Sequence, residues 1–381
     1  MLEVADIVRR HGAKYRQKFD QRLLPRHHRA LADIEACRTA AFGGQVSTCD
    51  RCQQKIYAYH ACKNRHCPKC HGEKTRRWLD QQRERLLLHC PFYLLTFTLP
   101  TELRAVARAH PTIVYRLLMQ SAAAAILKLA RDPRFLGAAT PGLLAVLHTW
   151  TRAMLFHPHA HLLVTAGGMS DDGLAWIKPK YPRFLLPEHA LSKIFRGKFR
   201  HRLNKAGLFA LVPKAAWKHK SWVVDCQHAG SGEKVLDYLG RYLFRIAIAN
   251  SRLDRLDDDG TVSFHYRDNR TRQIKTATVS AEEFLTRFLA HVLPEGFTKV
   301  RYSGLFSSSN RNRLEAARTL LTPPTNATPV AIPQTCAADG IAADSPQKAE
   351  RDPARCPLCK VGRLVVTELI QRPRRARGRP P

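Results

Sequence analysis

The run Phe156-His157-Pro158-His159-Ala160-His161-Leu162-Leu163-Val164 holds the residues best suited to chemistry. On a β-strand, side chains two apart share a face, so His159 and His161 project together. Two neutral imidazoles on one face, beside apolar residues turned the other way, make a two-point metal holder with coordination positions left open. An ion held there can polarise a phosphate oxygen as a Lewis acid, and zinc in a hydrolase would suit the same pair. The pattern leaves a third ligand open among Gln227, His228, His148 and His157.

A second group lies in Val235-Leu-Asp-Tyr238-Leu-Gly-Arg241-Tyr242-Leu-Phe-Arg245. Tyrosines four apart on a helix present their hydroxyls on one face, about a turn apart. A phenol attacks phosphorus when a metal activates the phosphate and a cation stabilises the developing charge. Arg241 and Arg245 are placed to supply that cation. The same spacing also suits a plain packing stripe.

The third group is cysteine-based. Cys49-x2-Cys52 and Cys67-x2-Cys70 are separated by 14 residues, and four thiolates so spaced can close tetrahedrally around a structural Zn²⁺. Cys37, Cys62, His60, His66 and His71 are surplus ligands nearby, from which a second site could be built. The later pair Cys356-Pro-Leu-Cys359 reads as half of a zinc ribbon without a visible second half.

These residues need elements to position them. Residues 1–35 read as helical with a break at Pro25, and residues 37–72 as a small metal-held module leading into a helix over 78–88. Phe92 to Thr98 is a β-type run ended by Pro100. Residues 102–130 read as helix, and 143–150 and 160–165 as strands. Helices are expected over 188–207, 232–248 and 281–292, and a hairpin over 261–279. After Leu321 the composition shifts to Pro, Thr, Ala and Asp, as in a linker. The expected fold class is α+β. Its segments are a helical and zinc-binding DNA-binding domain (1–90), a catalytic domain (91–321), a linker (322–354), and a CxxC knuckle with an arginine-rich tail (355–381).

The chain has 381 residues, 63 Lys+Arg and 31 Asp+Glu, a net charge of +32 that implies a polyanionic partner, above all nucleic acid. Residues 178–220 alone carry 12 basic residues and one acid, Glu188. Lys198, Arg200, Arg202 and Lys205 lie in that window, among Tyr181, Phe184, Phe195, Phe199 and Trp217. Basic residues interleaved with aromatics suit a groove for single strands with stacking platforms. No run of about 18 apolar residues occurs, so no membrane partner is expected. The first ten residues show no secretory pattern, and eleven cysteines without one point to metal ligation rather than disulfides.

Taken together, these residues closely resemble the rolling-circle insertion-sequence transposases of the two-tyrosine HUH class, over roughly residues 10–320. The resemblance runs through Cys37-Arg-Thr, Cys62-Lys-Asn-Arg-His-Cys-Pro-Lys-Cys70, His157-Pro-His-Ala-His161, Tyr238-Leu-Gly-Arg-Tyr242, His291-Val-Leu-Pro-Glu-Gly-Phe297 and Arg301-Tyr-Ser-Gly304. It implies an HUH-type antiparallel sheet flanked by helices, with His159 and His161 holding Mg²⁺ or Mn²⁺ over the scissile phosphate. Tyr238 or Tyr242 would attack, leaving a 5′-phosphotyrosyl link and a free 3′-hydroxyl. Single-stranded DNA and insertion-element ends would be the partners, and the bacterial cytoplasm and nucleoid the setting. A replication initiator or relaxase would share the histidines and tyrosines, and a non-catalytic zinc-ribbon DNA-binding protein would share the cysteines.

Overall fold

A computed structural model describes residues 1–87, 89–137, 139–181, 184–219, 222–240, 245–268, 271–322 and 354–372. They divide into two compact units. One comprises residues 1–35 and 64–322, and the other residues 36–63 with the C-terminal segment. The N-terminal helices Val4–Phe19 and Pro25–Glu35 belong with the large unit. The expected linker, apart from residues 322 and 354, and the tail from 373 onward lie outside the described residues.

The large unit is built on five strands: β1 (Phe92–Thr98), β2 (Gly142–Trp150), β3 (Phe156–Thr165), β4 (Val224–Gly230) and β5 (Val300–Gly304). Their order is β5-β2-β3-β1-β4, and every neighbouring pair is antiparallel. The strand that carries the histidines is thus the middle one.

Strand alternation sorts the side chains into two cores. Phe156, Ala160, Leu162 and Val164 of β3 join Leu95 and Phe97 of β1 in the larger core. That core is closed by the helices Pro111–Ala130 and Glu188–Lys205. Pro111–Ala130 is apolar and long enough to cross a membrane, but two-thirds of that apolar stretch is buried inside the unit. Leu191, Phe195, Phe199 and Leu203 form the inward stripe of Glu188–Lys205. At roughly 1.5–3 kcal/mol for each large apolar side chain buried, this stripe, not the surface charge, fixes which way the helix faces.

The opposite face carries Phe92, Leu94, Leu144, Val146 and Leu163. It packs with Leu86 and Leu87, with Val235, Leu236 and Leu239, and with Leu305 and Phe306.

Local chemistry explains where elements depart from the sequence reading. The helix expected over 102–130 breaks at His110, because the residue before Pro111 is pushed out of the α region. The helix expected over 232–248 is Glu233–Tyr238 followed by a wider, π-type turn at Leu239–Gly240, and residues 245–248 are not helical. The expected hairpin forms, Thr261–Arg267 pairing with Ile274–Ser280, and Leu253–Leu256 adds a third strand. In the small unit, Gly44–Cys49 lies between Lys55–Tyr59 and the C-terminal strand Leu364–Ile370.

Candidate catalytic site

Strand β3 begins at Phe156, early enough that His157, His159 and His161 all sit on it. A proline inside a central strand is ordinarily excluded, because it cannot donate to the ladder. Here it is accommodated by a bulge: His148 of β2 pairs with His159 and Trp150 with Phe156, so His157 and Pro158 together oppose Thr149.

The register then brings in a third imidazole. His148 stands directly across from His159, and the ligand nitrogens of His148, His159 and His161 all lie within 4.8 Å of one another. The other candidates are placed elsewhere. His157 Nδ1 accepts a hydrogen bond from Arg104 at 2.8 Å. The His228 ring lies edge-on to Tyr93, whose side chain belongs to the opposite core. Gln227 is on β4, two strands from β3.

The imidazoles are oriented as ligands. His159 Nδ1 meets the His157 carbonyl at 2.7 Å. A carbonyl only accepts, so Nδ1 carries the proton and Nε2 keeps its lone pair. His161 Nδ1 is 2.9 Å from Thr96 Oγ1, a hydroxyl that holds the ring in place and can accept its Nδ1 proton. Burial pushes the His159 imidazole down to about 4, opposed in part by its bond to the His157 carbonyl. Burial, then His159 and the Lys299 charge, hold His161 well below its ordinary value. Both rings are therefore neutral at pH 7, with lone pairs free for a divalent ion.

A cationic wall adjoins them. The Trp150 ring stacks on His148 at 4.7 Å, and Lys299 Nζ lies 5.2 Å from the Trp150 ring centre. Burial, then the Arg65 charge, bring the Lys299 ammonium down to about 7. Arg65, Lys74, Arg245 and Lys299 line one pocket of about 110 Å³ beside Trp150. Arg245 was expected near the chemistry, but nothing in the local sequence marks Lys299, whose position is set by the turn into β5.

The tyrosine helix is delivered by a glycine turn. Gly230 and Gly232 have φ of 86° and 60°, a left-handed backbone that glycine adopts without strain, and they turn the chain from β4 into Glu233–Tyr238. Val235, Leu236 and Leu239 then bury against the histidine-bearing face, with Tyr238 half-buried against the same cluster. At Gly240 a Cβ would come within 2.8 Å of Leu79 Cδ1, so the helix passes close to its neighbour. Arg241 and Tyr242 lie outside the described residues.

Two other motif segments interlock as support. His291 Nε2 donates to the Met154 carbonyl at 3.0 Å, and its Nδ1 accepts from the Thr149 hydroxyl at 3.1 Å, which pins the β2–β3 turn. Arg65 donates to the carbonyls of Phe297 at 2.6 Å and Pro294 at 2.5 Å.

The basic window is only partly as expected. Lys198, His201, Arg202 and Lys205 line a cleft of about 420 Å³ on the outer side of their helix. Burial, then the charges of Arg202 and Lys128, depress the Lys198 ammonium. Arg200 sits over the rings of Phe209 and Trp217 at 5.1 and 5.8 Å. Phe195 and Phe199 are fully buried and offer no stacking surface, whereas Tyr181 and Phe184 are exposed. The helix covers the sheet face opposite the histidines.

The four cysteines expected around one zinc are divided between the two units. Cys49 and Cys52 group with Cys356 and Cys359 in the small unit. Cys67 and Cys70, at the start of the helix Pro68–Arg85, belong to the large unit. The strand ladder, rather than nearness in the chain, sets Cys49 and Cys52 beside Cys356 and Cys359.

Residues 142–313 match the family described as "Putative transposase", and residues 7–99 match the transposase zinc-binding domain of the IS91 type. The chain is 39% identical to "Putative transposase y4qJ" of Sinorhizobium fredii, over 97% of this chain and 95% of that protein. It is 30% identical to the "Transposase for insertion sequence element IS801" of Pseudomonas savastanoi pv. phaseolicola, over 73% of this chain and 72% of that one. No solved structure matches it.

Proposed function

The chain belongs to the IS91/IS801 family of transposases, with its zinc-binding domain, and we propose that it nicks and rejoins single-stranded DNA at insertion-element ends through a 5′-phosphotyrosine intermediate. The observation that carries this reading is the cluster of three imidazoles on the sheet face against which the Tyr238 helix packs.

His148, His159 and His161 would hold the catalytic ion, His159 through the Nε2 that its Nδ1 bond to the His157 carbonyl leaves as an acceptor. Three nitrogen ligands favour Mn²⁺ over Mg²⁺, which prefers oxygen. Bound there, the ion would supply Lewis-acid polarisation of the scissile phosphate. Tyr238, or Tyr242 four residues on, acts as nucleophile. Its oxygen forms a bond to phosphorus as the bond to the 3′-oxygen breaks, and the phenolic proton is balanced by the proton gained by the released 3′-hydroxyl. The reverse attack by a 3′-hydroxyl rejoins a strand and frees the tyrosine, so neither ATP nor water is consumed. Arg245 provides positive charge beside the phosphate, Lys299 adds to it when in its ammonium form, and the Lys198–Lys205 row holds strand at a distance from the chemistry.

The test is a labelled single-stranded oligonucleotide carrying an element end, incubated with protein and Mn²⁺, then denatured. A covalent adduct is expected. It should vanish in the double variant Tyr238→Phe/Tyr242→Phe and persist at reduced yield in each single variant. Persistence in the double variant would exclude the tyrosines as nucleophiles.

A further inference from the structure

In the small unit, the sulfurs of Cys49, Cys52, Cys356 and Cys359 all lie within 4.8 Å of one another. Cys49 Sγ is 3.7 Å from Cys359 Sγ, and Cys52 Sγ is 3.7 Å from Cys356 Sγ. A disulfide would need about 2.05 Å. Four thiolates about 2.3 Å from a zinc ion stand about 3.8 Å apart along each edge of the tetrahedron. The two measured edges match that figure, and the family match to the zinc-binding domain ends at residue 99, far short of Cys356.

We propose that Cys49, Cys52, Cys356 and Cys359 bind one structural zinc ion, so that the C-terminal segment supplies half of a zinc ribbon whose other half is N-terminal. The surroundings are those of a thiolate site. Amides of Arg51 and Cys52 point to Cys49 Sγ at 3.4 and 3.5 Å, and the Gly362 amide points to Cys359 Sγ at 3.3 Å. Such donors stabilise sulfur in its charged form and fix its direction.

The two knuckles also turn alike. The residue after the second cysteine is left-handed in each, Gln53 at φ 57° and Lys360 at φ 59°. Gly362 has no substitute, since a Cβ there would stand 2.5 Å from Cys49 Sγ. The ladder between Gly44–Cys49 and Leu364–Ile370 continues into the site: Cys49 pairs with Leu364, the Asp50 amide donates to the Arg363 carbonyl at 3.0 Å, and the Arg363 amide donates to Asp50 Oδ1 at 2.8 Å. With four protein ligands the ion has no open position, so it holds structure and does no chemistry. Binding exchanges four thiol protons for one Zn²⁺, and no oxidant or reductant is involved.

The experiment uses the full chain, alkylated with iodoacetamide before and after zinc chelation and mapped by peptide mass spectrometry. Cys356 and Cys359 should be protected together with Cys49 and Cys52, and all four should become reactive on one time course once zinc is withdrawn. Alkylation of Cys356 and Cys359 in the zinc-loaded chain, with Cys49 and Cys52 still protected, would overturn the proposal. Native mass spectrometry adds a count. Cys356→Ser/Cys359→Ser should lose one zinc per chain, and adding Cys49→Ser/Cys52→Ser should lose no more. Retention of all zinc by the first variant would also overturn the proposal. If that variant gives the broad charge states of an unfolded chain, the alkylation result on the native protein decides.

Discussion

Thr96→Val probes the catalytic centre without touching a candidate ligand. Thr96 lies on β1 opposite His161, with its Oγ1 2.9 Å from His161 Nδ1. For His161 to offer Nε2 to an ion, its Nδ1 must carry the proton and donate it to Thr96. Valine keeps the shape and removes the acceptor. Leaving a buried N–H unpaired costs about 1–3 kcal/mol, and loss of such a partner ordinarily weakens metal binding about 10- to 100-fold. The assay is adduct yield against Mn²⁺ concentration. The half-saturating Mn²⁺ should rise about 10- to 100-fold, with most of the yield restored at saturation. Affinity for DNA without metal should not change. In a His161→Ala background the substitution should add nothing, since the two groups act as one. An unmoved Mn²⁺ midpoint, or a loss that excess Mn²⁺ leaves untouched, would refute the assignment of His161 as a ligand.

Replacing Lys198, Arg202 and Lys205 by Ala should weaken single-strand binding and flatten its salt dependence, by about 0.7 in log–log slope for each phosphate no longer held. Adduct yield at saturating DNA should hold, because that helix covers the sheet face opposite the histidines; a fall in saturating yield would contradict this. Burial holds His66 at about 3 and His291 at about 4, below the ordinary 6.5. The unfolded chain therefore binds these protons more readily, and stability is full above about pH 6.5 and falls toward pH 4, by up to about 1.4 kcal/mol per pH unit for each group. His291→Gln, which can still donate to the Met154 carbonyl, should remove one proton's share of that slope in urea midpoints between pH 6.5 and 5. An unchanged slope would show that His291 is not held neutral.

What the sequence revealed was whatever repeats locally. His159 and His161 were legible because a strand repeats every two residues, and the central strands because their apolar runs are unbroken. His148 was one name among four, because only cross-strand register sets it opposite His159. Strand β4, Val-Asp-Cys-Gln-His-Ala-Gly, mixes polar residues into an edge position and shows no alternation. The aromatics at 195 and 199 were read as platforms for bases, although with Leu191 and Leu203 they make a four-residue stripe that marks a buried helix face. The neighbours of Cys49 and Cys52 were missed for the opposite reason. Two nearby Cys-x2-Cys pairs invite a joint reading, and no local pattern reveals a partner some three hundred residues away.

The ladder joining Gly44–Cys49 to Leu364–Ile370 also sets an order of assembly. Contacts so distant in sequence close late, after the intervening chain exists. At about 5–20 residues per second on the ribosome, Cys49 emerges about 15–60 s before its ladder partner Leu364. Throughout that interval the strand has Lys55–Tyr59 on one side and an open edge on the other, a surface prone to pairing with a second chain. A chain that stopped before Leu364 would leave that edge of Gly44–Cys49 uncovered for good.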